Sequence, residues 1–254
     1  MNRQAQAVIL LLLGGAVLRA SVTDQYLNYV KPGLRGFLIA AAVLLLLTGA
    51  AALWQGMRTG SPAPDGHDHD HDHEHGHADD EDGHGHHSPR VAWLLLLPAL
   101  GLLLVAPPAL GSYAAGRTGT ALTAPSDFAP LPAGDPVRIG LLDYASRAIF
   151  DQGRSLGDRR VQLTGFVMPG PDGTTILTRM IVSCCAADAR PIKVALGGDL
   201  PPGIAGDPNE EQWFEVVGVY DARTVKDPVN AESIPYLRVV EAKAVATPAE
   251  QYES

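Results

Sequence analysis

Every histidine in the chain falls between His67 and His87, in the run HDHDHDHEHGHADDEDGHGHH. The imidazoles are those of His67, His69, His71, His73, His75, His77, His84, His86 and His87, with Asp and Glu between them. Imidazole and carboxylate together suit Zn, Ni, Cu or Co, and Zn2+ is the commonest occupant of such ligand sets. Alternation at a period of two cannot build one rigid four-coordinate cage. It offers overlapping, exchangeable sites of moderate affinity. No side chain in the run is both apolar and larger than Ala78, and like charges crowd one another, so the stretch is expected to be disordered and solvated. A hydrophilic spacer is the plainer alternative, but nine histidines here and none elsewhere argue for divalent metal.

The second chemical feature is the adjacent pair Cys184 and Cys185, the only cysteines. They form no spaced disulfide framework. If Thr174 to Cys185 were one regular strand, Cys184 would share the core face with Ile176, Met180 and Val182, leaving only Cys185 available. If the strand ends at Ser183, the CCAADA stretch becomes a turn. Cys184, Cys185 and Asp188 could then converge on a soft metal, or the two thiols could join in a vicinal disulfide. With no histidine after His87, a zinc site here needs Asp, Glu, water or a partner chain to complete four ligands. The same absence rules out Ser-His-Asp and Cys-His catalysis in the C-terminal half. No Walker loop occurs, and Asp199 to Asn209 reads as a loop rather than a calcium site. Nothing marks the chain as an enzyme.

The elements that must carry these groups divide by composition. Of the net charge of −9, nine acids against Arg90 lie between Ser61 and Arg90, so the remainder is near neutral and has no basic footprint for nucleic acid. Three apolar runs precede residue 117. The first, about residues 5–22, starts like a signal peptide but lacks a good cleavage site, and spans a bilayer if Arg19 snorkels. The second, about 36–54, carries no charge. The third, 91–116, is equally charge-free, with Trp93 and Tyr113 near its ends as in aromatic belts. Three transmembrane helices are expected, in a lipid bilayer. Residues 1–58 would form a two-helix hairpin whose connector, with Tyr26, Tyr29, Lys31 and Arg35, sits at the membrane–water interface. Residues 59–90 form the His/Asp-rich loop.

Residues 117–136, rich in Pro, Gly, Ala and Thr, read as a linker or an arm laid on the next domain. From residue 137 to 254 the pattern is that of a soluble, mainly β domain. One amphipathic helix runs from about Ile139 to Gly153. Five strand-like runs follow: Arg160 to Met168, Thr174 to Cys184, Pro191 to Leu196, Trp213 to Asp221 and Tyr236 to Val245. Five short strands and one flanking helix favour a small OB-like barrel, with Gly165 and Gly218 at its sharp bends.

Two N-terminal spans, a His/Asp-rich loop, a third span with Pro107-Pro108 near its end, and the segment GFVMPGPDGTTILTRMIVSCCAADARPIKV resemble the YcgQ-like family of permease subunits. The CCAADA stretch (Cys184 to Ala189) and the preceding GFV (Gly165 to Val167) carry the likeness. The resemblance implies an accessory membrane subunit that partners a multi-span permease, with a link to zinc supply in some members.

The expected function is therefore an accessory permease subunit. Its His-rich loop binds divalent metal and its β domain docks on the permease or its substrate. A membrane-tethered binding or assembly module that only buffers metal, and a membrane thiol-redox protein, are the alternatives. Cationic residues are almost balanced across the spans. The basic start at Arg3 favours the N-terminus inside, the His-rich loop in the cytoplasm and the β domain outside a multi-pass cell-membrane protein.

Overall fold

The computed structural model describes residues 3–58, 108–204 and 211–253. The His-rich loop lies outside the described residues, as does most of the third expected span. The chain divides into two compact units. One holds residues 1–23 and 36–106, and the other holds 24–35 and 107–254.

In the first unit, helices α1 (Arg3–Val22) and α2 (Arg35–Arg58) follow from long apolar runs without an internal proline. Their contact is made by small residues at matching heptad spacing. A Cβ on Gly14 would lie 2.9 Å from Leu46 Cγ and 3.2 Å from the Ala42 carbonyl oxygen. One on Gly49 would stand at the same distances from Leu11 Cγ and the Ala7 oxygen. Ala7 and Ala42 are fully buried, so the two backbones approach closely, as small residues permit between apolar helices. Among the described residues, Pro32–Arg58 is long and apolar enough to cross a membrane by length and composition. The apolar part of α1, Gln6–Val22, is shorter; at 1.5 Å per residue it reaches about 26 Å against a hydrocarbon core of about 30 Å. Among the described residues, one span is thus supported, against the three expected.

The third span was expected to continue to Gly116, and it does not. Residues 108–111 are irregular, and Ser112–Arg117 form a six-residue helix, α3, whose Ala115 is fully buried in a cluster with Phe166, Met180 and Trp213. Tyr113 belongs to this helix and is capped by Arg117, whose guanidinium carbon lies 4.2 Å from the ring centroid.

The second unit is a β-barrel. Its strands are β1 (Val137–Arg138), β2 (Val161–Pro169), β3 (Thr175–Ile181), β4 (Arg190–Gly197), β5 (Trp213–Lys226), β6 (Ser233–Val245) and β7 (Tyr252–Glu253). β2, β3 and β4 are antiparallel neighbours; β4 runs parallel to β6; β6 pairs with β5, and β5 returns to β2. The ring closes with five strands in a Greek-key order, an OB-like barrel. The short β1 and β7 add at its edges, along β2 and β3.

The expected bends are real. A Cβ on Gly165 would meet the Thr178 carbonyl oxygen at 2.5 Å, just before β2 exchanges β5 for β3 as its neighbour at Phe166. A Cβ on Gly218 would meet the Arg238 oxygen at 2.6 Å, where the β5–β6 register shifts.

Helix α4 (Leu141–Phe150) buries Leu141, Tyr144 and Ala145 against Leu163, Leu177, Val194, Val216 and Leu237 of the barrel interior. Glu253 caps it by accepting from the Leu141 and Leu142 N–H groups at 2.9 and 3.0 Å, which places a carboxylate at the positive helix end. Residues 118–136 are an arm rather than a free linker: Leu122 and Leu131 pack on the core, and the Ala121 N–H donates to the Pro191 oxygen at 3.0 Å.

Candidate functional site

Strand β3 stops at Ile181, and that decides the cysteines. Val182 still points inward and is buried, but alternation is lost at Ser183. Ala186–Asp188 then makes one 3₁₀ turn, closed by the Asp188 N–H to the Cys185 oxygen at 3.0 Å. The regular-strand expectation that Cys184 fills the core is therefore overturned. Cys184 is exposed and Cys185 is the half-covered one.

The turn brings Cys184, Cys185 and Asp188 together, with one ligand atom from each inside a span of 4.8 Å. Cys184 Sγ lies 3.6 Å from Cys185 Sγ, and the Cys184 thiol donates to Asp188 Oδ2 at 3.1 Å. The Ser183 and Cys184 N–H groups donate to the two carboxylate oxygens, each at 2.9 Å. The Cys184 thiol and these N–H groups hold the Asp188 carboxyl down to about 2. The same carboxylate, followed by the Cys185 sulfur, pushes the Cys184 thiol up to about 11. Stabilised by donors, Asp188 stays ionised, and beside it Cys184 stays a thiol.

The residues missed by sequence reasoning lie in the α1–α2 connector. Instead of resting only at an interface, the connector pairs with the cysteine turn. Val30 forms an antiparallel bridge with Cys185. The Lys31 N–H donates to the Cys184 oxygen at 3.1 Å, and the Ala186 N–H donates to the Tyr29 oxygen at 2.6 Å. Tyr252 adds a further tie, donating from its hydroxyl to the Asn28 oxygen at 3.0 Å and accepting from the Leu110 N–H at 2.8 Å. No local pattern could have joined residues so far apart in sequence.

A cavity of about 530 Å³ lies between α3 and the barrel, lined by Tyr113, Arg117, Met168, Ile176, Lys193 and Ile234. Its lining is mostly apolar, and Lys193 is already committed to Asp227 at 2.9 Å. The dithiol turn is the more chemical of the two features. The nine histidines lie outside the described residues.

Residues 5–121 match the DUF1980 N-terminal domain, and residues 146–253 match the DUF1980 C-terminal domain. The chain belongs to the DUF1980 family. The N-terminal DUF1980 match takes in both helices, the connector and the His-rich stretch. The C-terminal DUF1980 match begins within α4 and includes the barrel strands with Cys184, Cys185 and Asp188. Neither description names a permease or a metal. No curated protein matches the chain. Among solved structures, a chain of the "Crystal structure of S. pombe Stn1-ten1 complex" is similar at 15% identity and a TM-score of 0.23, covering 45% of this chain and 81% of that one. The barrel assignment rests on the strand order alone.

Proposed function

We propose that this DUF1980 protein is a membrane-anchored accessory subunit of a multi-span permease, in which the His67–His87 stretch gathers divalent metal, Zn2+ foremost. The observation that carries this reading is the seam between Tyr29–Lys31 and Cys184–Ala186. It pairs the barrel's cysteine turn with the short connector that joins two apolar helices, one of them long and apolar enough to cross a membrane. Many weak imidazole sites suit supply, because a captured ion must leave again.

The test is metal uptake by cells. Deleting the gene, or replacing all nine histidines with serine, is expected to slow initial Zn2+ uptake under limitation. Normal uptake in both strains would refute the reading. The thiol-redox alternative draws on two free cysteines whose sulfurs lie 3.6 Å apart. Mass analysis without reductant would favour it by finding a Cys184–Cys185 disulfide in freshly prepared protein.

A further inference from the structure

We propose that Cys184, Cys185 and Asp188 form a three-ligand site for a thiophilic divalent cation, Zn2+ fitting best, with a fourth position open to solvent or to a partner's ligand. The proposal goes beyond the permease reading and stands without it.

The spacing is that of a tetrahedral metal site. Two thiolates about 2.3 Å from a tetrahedral zinc lie about 3.8 Å apart, and a thiolate and a carboxylate oxygen lie about 3.5 Å apart. The observed separations are 3.6 Å between the sulfurs and 3.1 Å between Cys184 Sγ and Asp188 Oδ2, so small rotations seat an ion. The groups are also held from behind. The Ser183 and Cys184 N–H groups fix the carboxylate, and the Val30 bridge fixes the backbone of Cys185. Such outer hydrogen bonds are what orient ligands in metal sites.

The donor set selects the ion. Two sulfurs disfavour Mg2+ and Ca2+, which take oxygen, and favour Zn2+ and its softer relatives. Exposure of Cys184 leaves a path for entry and exit, and a site with three protein ligands is an open one rather than a closed structural one. On binding, the cation replaces the protons of both thiols. Those two protons pass to solvent, the Asp188 carboxylate enters already ionised, and the bound centre carries a net charge of −1.

The test uses the full chain in detergent under a phosphine reductant, titrated with Co2+. Thiolate ligation gives a sulfur-to-metal charge-transfer band that imidazole and carboxylate do not, so the His-rich stretch does not obscure it. The wild type is expected to show the band. Cys184→Ser and Cys185→Ser should each remove most of its intensity, and Asp188→Asn should keep it while weakening Co2+ binding about ten-fold. Zn2+ added afterwards should bleach the band. A wild type without the band, or a band unchanged in both serine variants, would overturn the proposal. Unchanged Co2+ affinity in Asp188→Asn would overturn the carboxylate's place in the site.

Discussion

Lys193 and Asp227 meet inside the second unit as a buried ion pair, Nζ to Oδ2 at 2.9 Å, with 5% and 0% of their side chains exposed. The pair holds the arm down. The same Asp227 oxygen accepts from the Thr120 N–H at 2.8 Å, and Lys193 Nζ also donates to the Thr118 oxygen at 2.9 Å. Burial raises the Asp227 carboxyl, but Lys193 and the N–H donors outweigh it and leave it below its ordinary value. Asp227→Ala strands a buried ammonium and is expected to cost about 3–5 kcal/mol. Hydrogen exchange of the β4 amides in the full chain would register the loss; exchange as slow as in wild type would contradict it.

The cysteine turn should be intact over a broad middle range of pH. Asp188 has a depressed value of about 2, so its contribution is present above the ordinary carboxylate range and is lost as pH falls toward 2. Cys184 has a raised value of about 11, so its contribution is present below 9.0 and is lost as pH rises through 11. Iodoacetamide should therefore modify Cys184 slowly at pH 9. Asp188→Asn removes the restraining carboxylate and should speed that reaction about ten-fold or more. Peptide mass mapping reads the rate site by site.

Lys31→Pro cuts through the seam. Lys31 has φ −59° and ψ 141°, angles that proline adopts, so the substitution keeps the local backbone shape while it removes the N–H to the Cys184 oxygen and sets the ring Cδ against that oxygen. Loss of one such bond is worth about 1 kcal/mol, and the ring contact adds to it. Exchange of the Ala186 amide should quicken by at least about five-fold in Lys31→Pro, while Lys31→Ala, which keeps the N–H, should match wild type. Equal exchange in all three would dissolve the seam.

Gly14 and Gly15 are neighbours with opposite tolerance. A Cβ on Gly14 runs into Leu46, whereas one on Gly15 meets nothing within 4 Å. Gly14→Val is expected to cost about 1–3 kcal/mol through overpacking, and Gly15→Ala to be neutral or slightly stabilising. Thermal unfolding in detergent separates the two; similar melting temperatures would put the α1–α2 contact elsewhere.

The barrel was legible because its signals are local. Strand alternation, Gly/Pro turns and the amphipathic stretch around Leu141–Phe150 each report on their own few residues. β5 was underestimated at its end because Ala222 to Lys226 is polar, exposed over much of its length, and held by pairing with β6 rather than by burial. The turn at Cys184 was one of two readable outcomes, since nothing in the sequence says where a strand loses alternation. The connector's pairing with the cysteine turn was illegible for a deeper reason. Tyr26, Tyr29, Lys31 and Arg35 have a composition that fits both a bilayer surface and a protein surface, and only tertiary contact distinguishes them. Likewise, the absence of charge as far as Gly116 gives no sign that Ser112–Arg117 pack on the barrel.

The seam imposes a parity on the whole chain. The Asp24–Arg35 connector and the barrel belong to one unit, so they share a compartment. If α2 carries the chain away from that compartment, connectivity demands an odd number of return crossings between Arg58 and Pro108, whatever form that stretch takes.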